Sequence, residues 1–181
     1  KSDKDFDFDF GSGLEHIALE DLVERETIFY KLGEDVPFTG IITQENQEAG
    51  YLFLGRTLDG KKDGQWVKWF PSGKDVPEII LVDVPDPEPD LPWSGGKQEQ
   101  GGYKNGEKDG LWTEWHDNEH IKSHGTYELG IMNGDWTFFH QNGLKEKEGT
   151  LAYGNADGLW LFWDENSNKV QEGTFTDGTK E

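Results

Sequence analysis

The residues whose chemistry could do work fall into three groups. His116, His120 and His124 recur at intervals of four. On a helix that spacing would place three imidazoles on one face and suggest a metal site. This stretch reads as a hairpin instead, so the rings need not converge. His116 and His140 lie 24 residues apart, which makes them the same slot of a repeat. The second group, Asp83, Asp86, Glu88 and Asp90, offers hard oxygen ligands of the kind Ca²⁺ takes. Prolines at 85, 87 and 89 interrupt it and no calcium-loop spacing is present. These carboxylates read as a solvated acidic loop and as candidate contacts for a protein partner. The third group, Asp59, Asp63, Asp109, Asp135 and Asp157, recurs at turns, where a carboxylate bonds the local backbone.

Other chemistry is not suggested. There is no cysteine, no Gly-x-Ser-x-Gly and no phosphate loop. Paired carboxylates are unavoidable in so acidic a chain and carry no information. The expectation is a non-enzyme with no catalytic, cofactor or metal residues.

The elements that position these residues are set by a repeat. Gly-x-Trp-x-x-(Trp/Phe) occurs four times, as Gly64, Trp66 and Trp69, then Gly110, Trp112 and Trp115, then Gly134, Trp136 and Phe139, and last Gly158, Trp160 and Trp163. The leading tryptophans are 46, 24 and 24 residues apart. A second pattern of two glycines five apart interleaves with the first, at Gly55 and Gly60, Gly101 and Gly106, Gly125 and Gly130, Gly149 and Gly154, and Gly173 and Gly178. Gly40 lies 24 residues before Gly64, with Ile42 in the tryptophan slot. The spacing of 46 is 24 plus 22, so about 22 extra residues fall between Trp69 and Lys97. Alternating prolines there remove hydrogen-bond donors and exclude a ladder strand.

Twenty-four residues hold two short strands and two turns, which is one β-hairpin. Asn105-Gly106 and Asp177-Gly178 are tight-turn dipeptides. The expected fold class is all-β: an elongated single-sheet meander of antiparallel β-hairpins. Its organisation is an acidic N-terminal tail or lead-in over residues 1–21, then a hairpin array over 22–181 with an insertion at about 70–96. Phe6, Phe8 and Phe10 alternate with Asp and fit either a solvated tail or an added edge strand. Trp112 and Trp115 are three apart and so point to opposite faces, as in the other copies. The face of Trp115, with Val67, Thr113, Thr137, Leu161, Leu111 and Leu159, is expected to be the more apolar. The other face adds Lys68, Glu114, Phe138 and Phe162, and Phe138 and Phe162 are candidate contacts for a partner.

These motifs resemble the variant MORN repeats of the YwqK-family antitoxin proteins. Leu22 to Tyr30 followed by Val36-Pro-Phe-Thr-Gly40 also resembles the segment that opens many such proteins. Glu119 and Ser167 depart from the pattern, standing where a turn glycine is usual, and so does the insertion. The resemblance implies a bacterial β-hairpin array with a toxin-neutralising role.

Composition bounds the partner. Hydrophobic residues make up 33% of the 181, against 13% aromatic, with eight Trp and 24 Gly. That mixture suits short strands and tight turns better than a large spherical core. The net charge of −20 repels nucleic acid and anionic membranes and favours a basic protein partner. No run approaches the ~20 apolar residues of a membrane helix. The chain starts at Lys1, which leaves room for an upstream export signal, so an exported or envelope-associated location is expected over a cytoplasmic one. An exported surface protein with a structural or glycan-binding role is the second functional reading.

Overall fold

The computed structural model describes residues 13–45, 52–69 and 96–181. Within them the chain is almost entirely strand. β1 (Glu15–Ala18) is followed by a 3-10 turn at Leu19–Asp21, then β2 (Leu22–Arg25), β3 (Ile28–Lys31), β4 (Gly40–Glu45), β5 (Leu52–Leu58) and β6 (Lys61–Trp69). Next come β7 (Lys97–Lys104), β8 (Glu107–Trp115), β9 (Ile121–Glu128), β10 (Ile131–Phe139), β11 (Lys145–Ala152), β12 (Asn155–Trp163), β13 (Lys169–Thr176) and β14 (Thr179–Lys180). Twelve strands form one sheet, in which β4 to β14 follow one another in sequence order, each antiparallel to the next. β1 joins the sheet parallel to β4, and β2 and β3 form a separate two-stranded sheet. The residues read as a lead-in therefore supply a strand.

One register runs through the array. Trp66 lies opposite Gly101, Trp112 opposite Gly125, Trp136 opposite Gly149 and Trp160 opposite Gly173. Ile42 lies opposite Gly55 in the same way. β6 pairs directly with β7, from Gly64 opposite Tyr103 to Trp69 opposite Lys97, matching Gly110 opposite Tyr127 to Trp115 opposite Ile121. The ladder thus continues in register across the 27 residues between β6 and β7, numbers 70–95 lying outside the described residues and 96 adjoining β7.

The Gly-x-Trp motif is a bulge. Gly101 pairs with Trp112 but Gly102 pairs with Asp109, which leaves Gly110 and Leu111 unmatched on β8. The same two-residue surplus precedes Trp66 and Trp136. Gly64, Gly110, Gly134 and Gly158 open these bulges with φ between 75° and 82°, where a Cβ is disfavoured. The bulge swings the following indole over the glycine of the preceding strand. A Cβ on Gly55, Gly101, Gly125 or Gly149 would fall inside the ring of Trp66, Trp112, Trp136 or Trp160 respectively. Each indole then donates its Nε1–H to a carbonyl of the strand below, at 2.9 Å to Arg56, 2.9 Å to Gly102, 3.1 Å to Thr126 and 3.0 Å to Thr150. The buried polar end of each tryptophan is satisfied in that way.

The core is correspondingly a line rather than a ball. Trp66, Trp112, Trp136 and Trp160 are between 2% and 5% exposed. At the N-terminal end Leu22, Phe29, Phe38 and Ile42 pack on Trp66 and close the line. Phe29 N–H donates to Gly60 O at 2.8 Å, and Gly60 N–H to Phe38 O at 2.8 Å. A terminal unit of this sort shields the first repeat from water.

Burial corrects the expectation about the two faces. The Trp112 face is the more buried one. On the opposite face Val67 and Trp69 are buried against Leu54, but Trp115, Phe139 and Trp163 are only half-buried, and Leu111 and Leu159 stand 49% and 56% exposed. The reason is the bulge, which lays the indoles flat against glycine on one face alone. Phe6, Phe8, Phe10, Asp83, Asp86, Glu88 and Asp90 lie outside the described residues.

Candidate functional site

The aromatic line has two chemically different halves. In the first, rings meet edge to face: Trp66 with Tyr103 at 5.8 Å and 71°, Tyr103 with Trp112 at 5.2 Å and 84°, Trp112 with Tyr127 at 5.9 Å and 75°, and Tyr127 with Trp136 at 5.3 Å and 90°. Lysines cover the exposed ring faces. Lys62 Nζ lies 4.7 Å from the Trp66 centroid and 4.9 Å from that of Tyr103, and Lys108 Nζ lies 3.8 Å from Trp112 and 5.1 Å from Tyr127. A cation so placed is held by the ring quadrupole.

Carboxylates accompany the lysines. Lys108 is 3.1 Å from Glu99 and 3.9 Å from Glu114. Burial pushes the Lys62 ammonium below the ordinary lysine range. Burial, with Glu99 and Tyr127 nearby, lifts the Tyr103 phenol to about 12, and burial also raises Tyr127. Lys62, Trp66, Lys68, Glu99, Tyr103 and Trp112 line a groove of about 240 Å³.

In the second half the same slots hold apolar groups. Met132 and Ala156 take the place of Lys62 and Lys108, and Leu151 and Phe175 the place of Tyr103 and Tyr127. Phe138 and Phe162 stand where Lys68 and Glu114 stood. They join the line with rings nearly parallel: Trp136 to Phe138 at 5.8 Å and 26°, Phe138 to Trp160 at 6.4 Å and 31°, and Trp160 to Phe162 at 6.3 Å and 34°. Both are half-buried against Trp136, Leu151 and Trp160. Lys147 Nζ lies 4.7 Å from the Phe138 ring.

His116, His120 and His140 lie at one end of the strands and His124 lies within β9, and the four bond four different groups. His116 Nε2 meets Phe139 O at 2.9 Å and His140 Nε2 meets Trp163 O at 3.0 Å. A carbonyl only accepts, so Nε2 carries the hydrogen in each. His120 Nδ1 meets Gln141 O at 2.8 Å, and His124 Nδ1 meets Thr113 Oγ1 at 2.9 Å. Asn118 and Asn142 add Nδ2–H bonds to Gln141 O at 2.5 Å and Glu165 O at 2.7 Å. These bonds run from each turn to the next, so His116 and His140 are clamps between repeats. Among the described residues no group of three His, Asp or Glu could hold a metal.

Asp164 occupies the next histidine slot and turns inward. Its carboxylate accepts from Asn166 N–H at 2.9 Å, Asn168 N–H at 2.9 Å and Asn168 Nδ2–H at 3.0 Å. The Asn168 bonds, with that from Asn166, hold its carboxyl below the usual range. Glu119 and Ser167, where a turn glycine is usual, adopt φ of 70° and 63° beside 80° at Gly143, so the turn keeps its shape despite the substitution.

The 24-residue slot was legible before the coordinates. The lysine lids were not, because a lysine four residues before a tryptophan resembles any solvated strand end until the bulge folds it over the ring. Residues 108–129 and 156–177 match the family described as the MORN repeat variant. Each matched stretch starts one residue into the Trp-bearing strand, spans the turn that follows and ends at a tight turn, and the stretches are 48 residues apart, two periods. The unmatched hairpin between them has the same register. Among curated proteins, none matches the chain. Among the described residues no helix is long and apolar enough to cross a membrane.

Proposed function

We propose that this chain is a non-catalytic repeat module that binds a basic protein, in the manner of an antitoxin or immunity protein that neutralises its partner by occupying it. The observation that carries this reading is the use of the polar chemistry inside the ladder. The imidazoles, the asparagine amides and the indole N–H groups bond one repeat to the next, so they act as scaffold and fix the outer surface in place. The net charge of −20 over the whole chain would steer a cationic protein toward it. The glycan-binding alternative needs open indole faces; the four ladder tryptophans are buried under lysine, tyrosine or phenylalanine, and the half-buried Trp115 and Trp163 carry Lys97 and Lys145 over their rings at 5.5 and 5.8 Å. The acidic residues Asp83, Asp86, Glu88 and Asp90 stay part of the proposal as partner contacts.

Calorimetric titration at rising salt tests it. A cognate basic protein should bind with an affinity that falls about tenfold or more as the Debye length shrinks from ~30 to ~8 Å. Binding that ignores salt, or a cognate that is acidic, would remove the electrostatic basis of the reading.

A further inference from the structure

Five tight turns line one end of the strands and share one backbone geometry. Their first residues are Asp59, Asn105, Leu129, Tyr153 and Asp177, with φ between 48° and 53°, and each is followed by a glycine. The left-handed conformation presses Cβ against the backbone, and only asparagine and aspartate among residues with a Cβ adopt it routinely. Three of the five turns obey that chemistry. Leu129 and Tyr153 break it. They also break a second rule, because they stand 68% and 74% exposed to water. Positions where a sequence violates its own local rules twice over are expected at functional surfaces.

The two turns are neighbours. Gly154 N–H donates to Met132 O at 2.9 Å, Tyr153 N–H donates to Asn133 Oδ1 at 3.2 Å, and a Cβ on Gly154 would lie 3.6 Å from Ile131 Cγ2. Leu129, the exposed Ile131 and Tyr153 therefore make one apolar ridge. The charge around it has one sign. Glu107, Glu128, Asp135 and Asp157 flank the turns, and the lysines of these two hairpins, Lys122, Lys145 and Lys147, lie at the opposite ends of their strands.

Resting on the protein-binding reading above, we propose that Leu129, Ile131 and Tyr153 are the anchor of that interface, seated in an apolar depression on a partner protein whose rim carries Lys or Arg. Exposed apolar anchors within a charged rim are where binding energy concentrates. The ridge is rigid because each turn is tied to the hairpin before it.

The test uses the full chain and its Leu129→Asn/Tyr153→Asn double variant, with synthetic peptides alternating Lys with Phe or Lys with Ser as probes. The chain should bind the Lys–Phe peptide about tenfold tighter than the Lys–Ser peptide, and the variant should lose that preference. The variant's Tm should hold or rise by about 2 °C, because asparagine suits the left-handed position. A preference retained by the variant overturns the proposal, and so does a sharp fall in Tm. Loss of a dimer in sedimentation would instead assign the ridge to a second copy, and loss of binding to neutral phosphatidylcholine vesicles would assign it to a membrane; either overturns it. If both peptides bind equally and with salt sensitivity, the ridge assignment fails alone. If neither binds, the basic-partner reading fails with it.

Discussion

The two halves of the aromatic line share a backbone and differ in how they cover their rings. From Trp66 to Tyr127 the indoles meet tyrosines edge to face and are lidded by Lys62 and Lys108. From Trp136 to Phe162 the lids are gone and phenylalanines lie nearly parallel to the indoles. Hydrogen bonding, register and the glycine beneath each indole are the same in both. The hairpin ladder is therefore indifferent to what fills the flanking slots, provided the indole, its glycine and its bulge are kept. The first half sets charge over its indoles as well as burying them, and the second relies on burial at the indoles, its cation, Lys147, lying over Phe138 instead. Both solutions remove the ring faces from water, by a long amphipathic side chain laid along the surface or by another ring.

Substitutions can break that comparison. The largest effect is expected from the shared element. Trp136→Ala should destabilise by about 3–5 kcal/mol in denaturant unfolding, and Trp112→Ala by a similar amount. A loss at Trp112 several times smaller would mean the lysine-lidded half is the weaker one. Gly125→Ala comes next, at about 1–3 kcal/mol or more, since its Cβ would enter the Trp136 ring. Gly134→Ala meets no atom and should show only the left-handed penalty of about 1–2 kcal/mol. Equal effects at the two glycines would show that the ring contact contributes nothing.

Smaller effects separate the halves. His140→Ala removes one bond between repeats and should lower stability by about 1 kcal/mol, with faster amide exchange confined to the turns at 140–144 and 164–168. Lys108→Met copies the second half into the first. It should change stability by no more than about 1 kcal/mol while flattening its salt dependence. An unchanged salt dependence would detach the lysine lid from the energetics.

The last comparison is read at high pH. Tyr103 keeps its proton to about 12 in the folded chain, against 10.0 for the ordinary group. Its contribution is complete below pH 10 and is lost as pH rises toward 12, because the unfolded chain ionises first. Lys62 moves the opposite way: its depressed value means a burial penalty that lifts as pH rises. The comparison of the chain with Tyr103→Phe isolates the phenol, and the variant should show the shallower alkaline decline. Parallel declines would remove the burial argument at Tyr103.

Much of this was legible in residue types. Gly-x-Trp, the paired glycines and the turn dipeptides each name a local backbone state, so their period gave the hairpins, the extra residues between Trp69 and Lys97, and Ile42 as a stand-in for tryptophan. The face assignment held at Val67 and Trp69, which are buried, and failed at Leu111 and Leu159, because they count as apolar wherever they point and alternation alone cannot tell which side a bulge will press flat. His116 and His140 were recognisable as one slot but not as clamps, since the carbonyls they bond belong to another repeat. Leu129 and Tyr153 passed unnoticed because the rule they break is conformational.

The sequence alone determined the repeat, because glycine, asparagine and tryptophan act on conformations within a few residues of themselves. Only the tertiary structure decided which indole face is buried, which lysines become lids, and how β6 meets β7 across a long break. Those outcomes depend on contacts between residues far apart in the chain, where the geometry of the bulged sheet, and not the identity of any single side chain, sets what touches what.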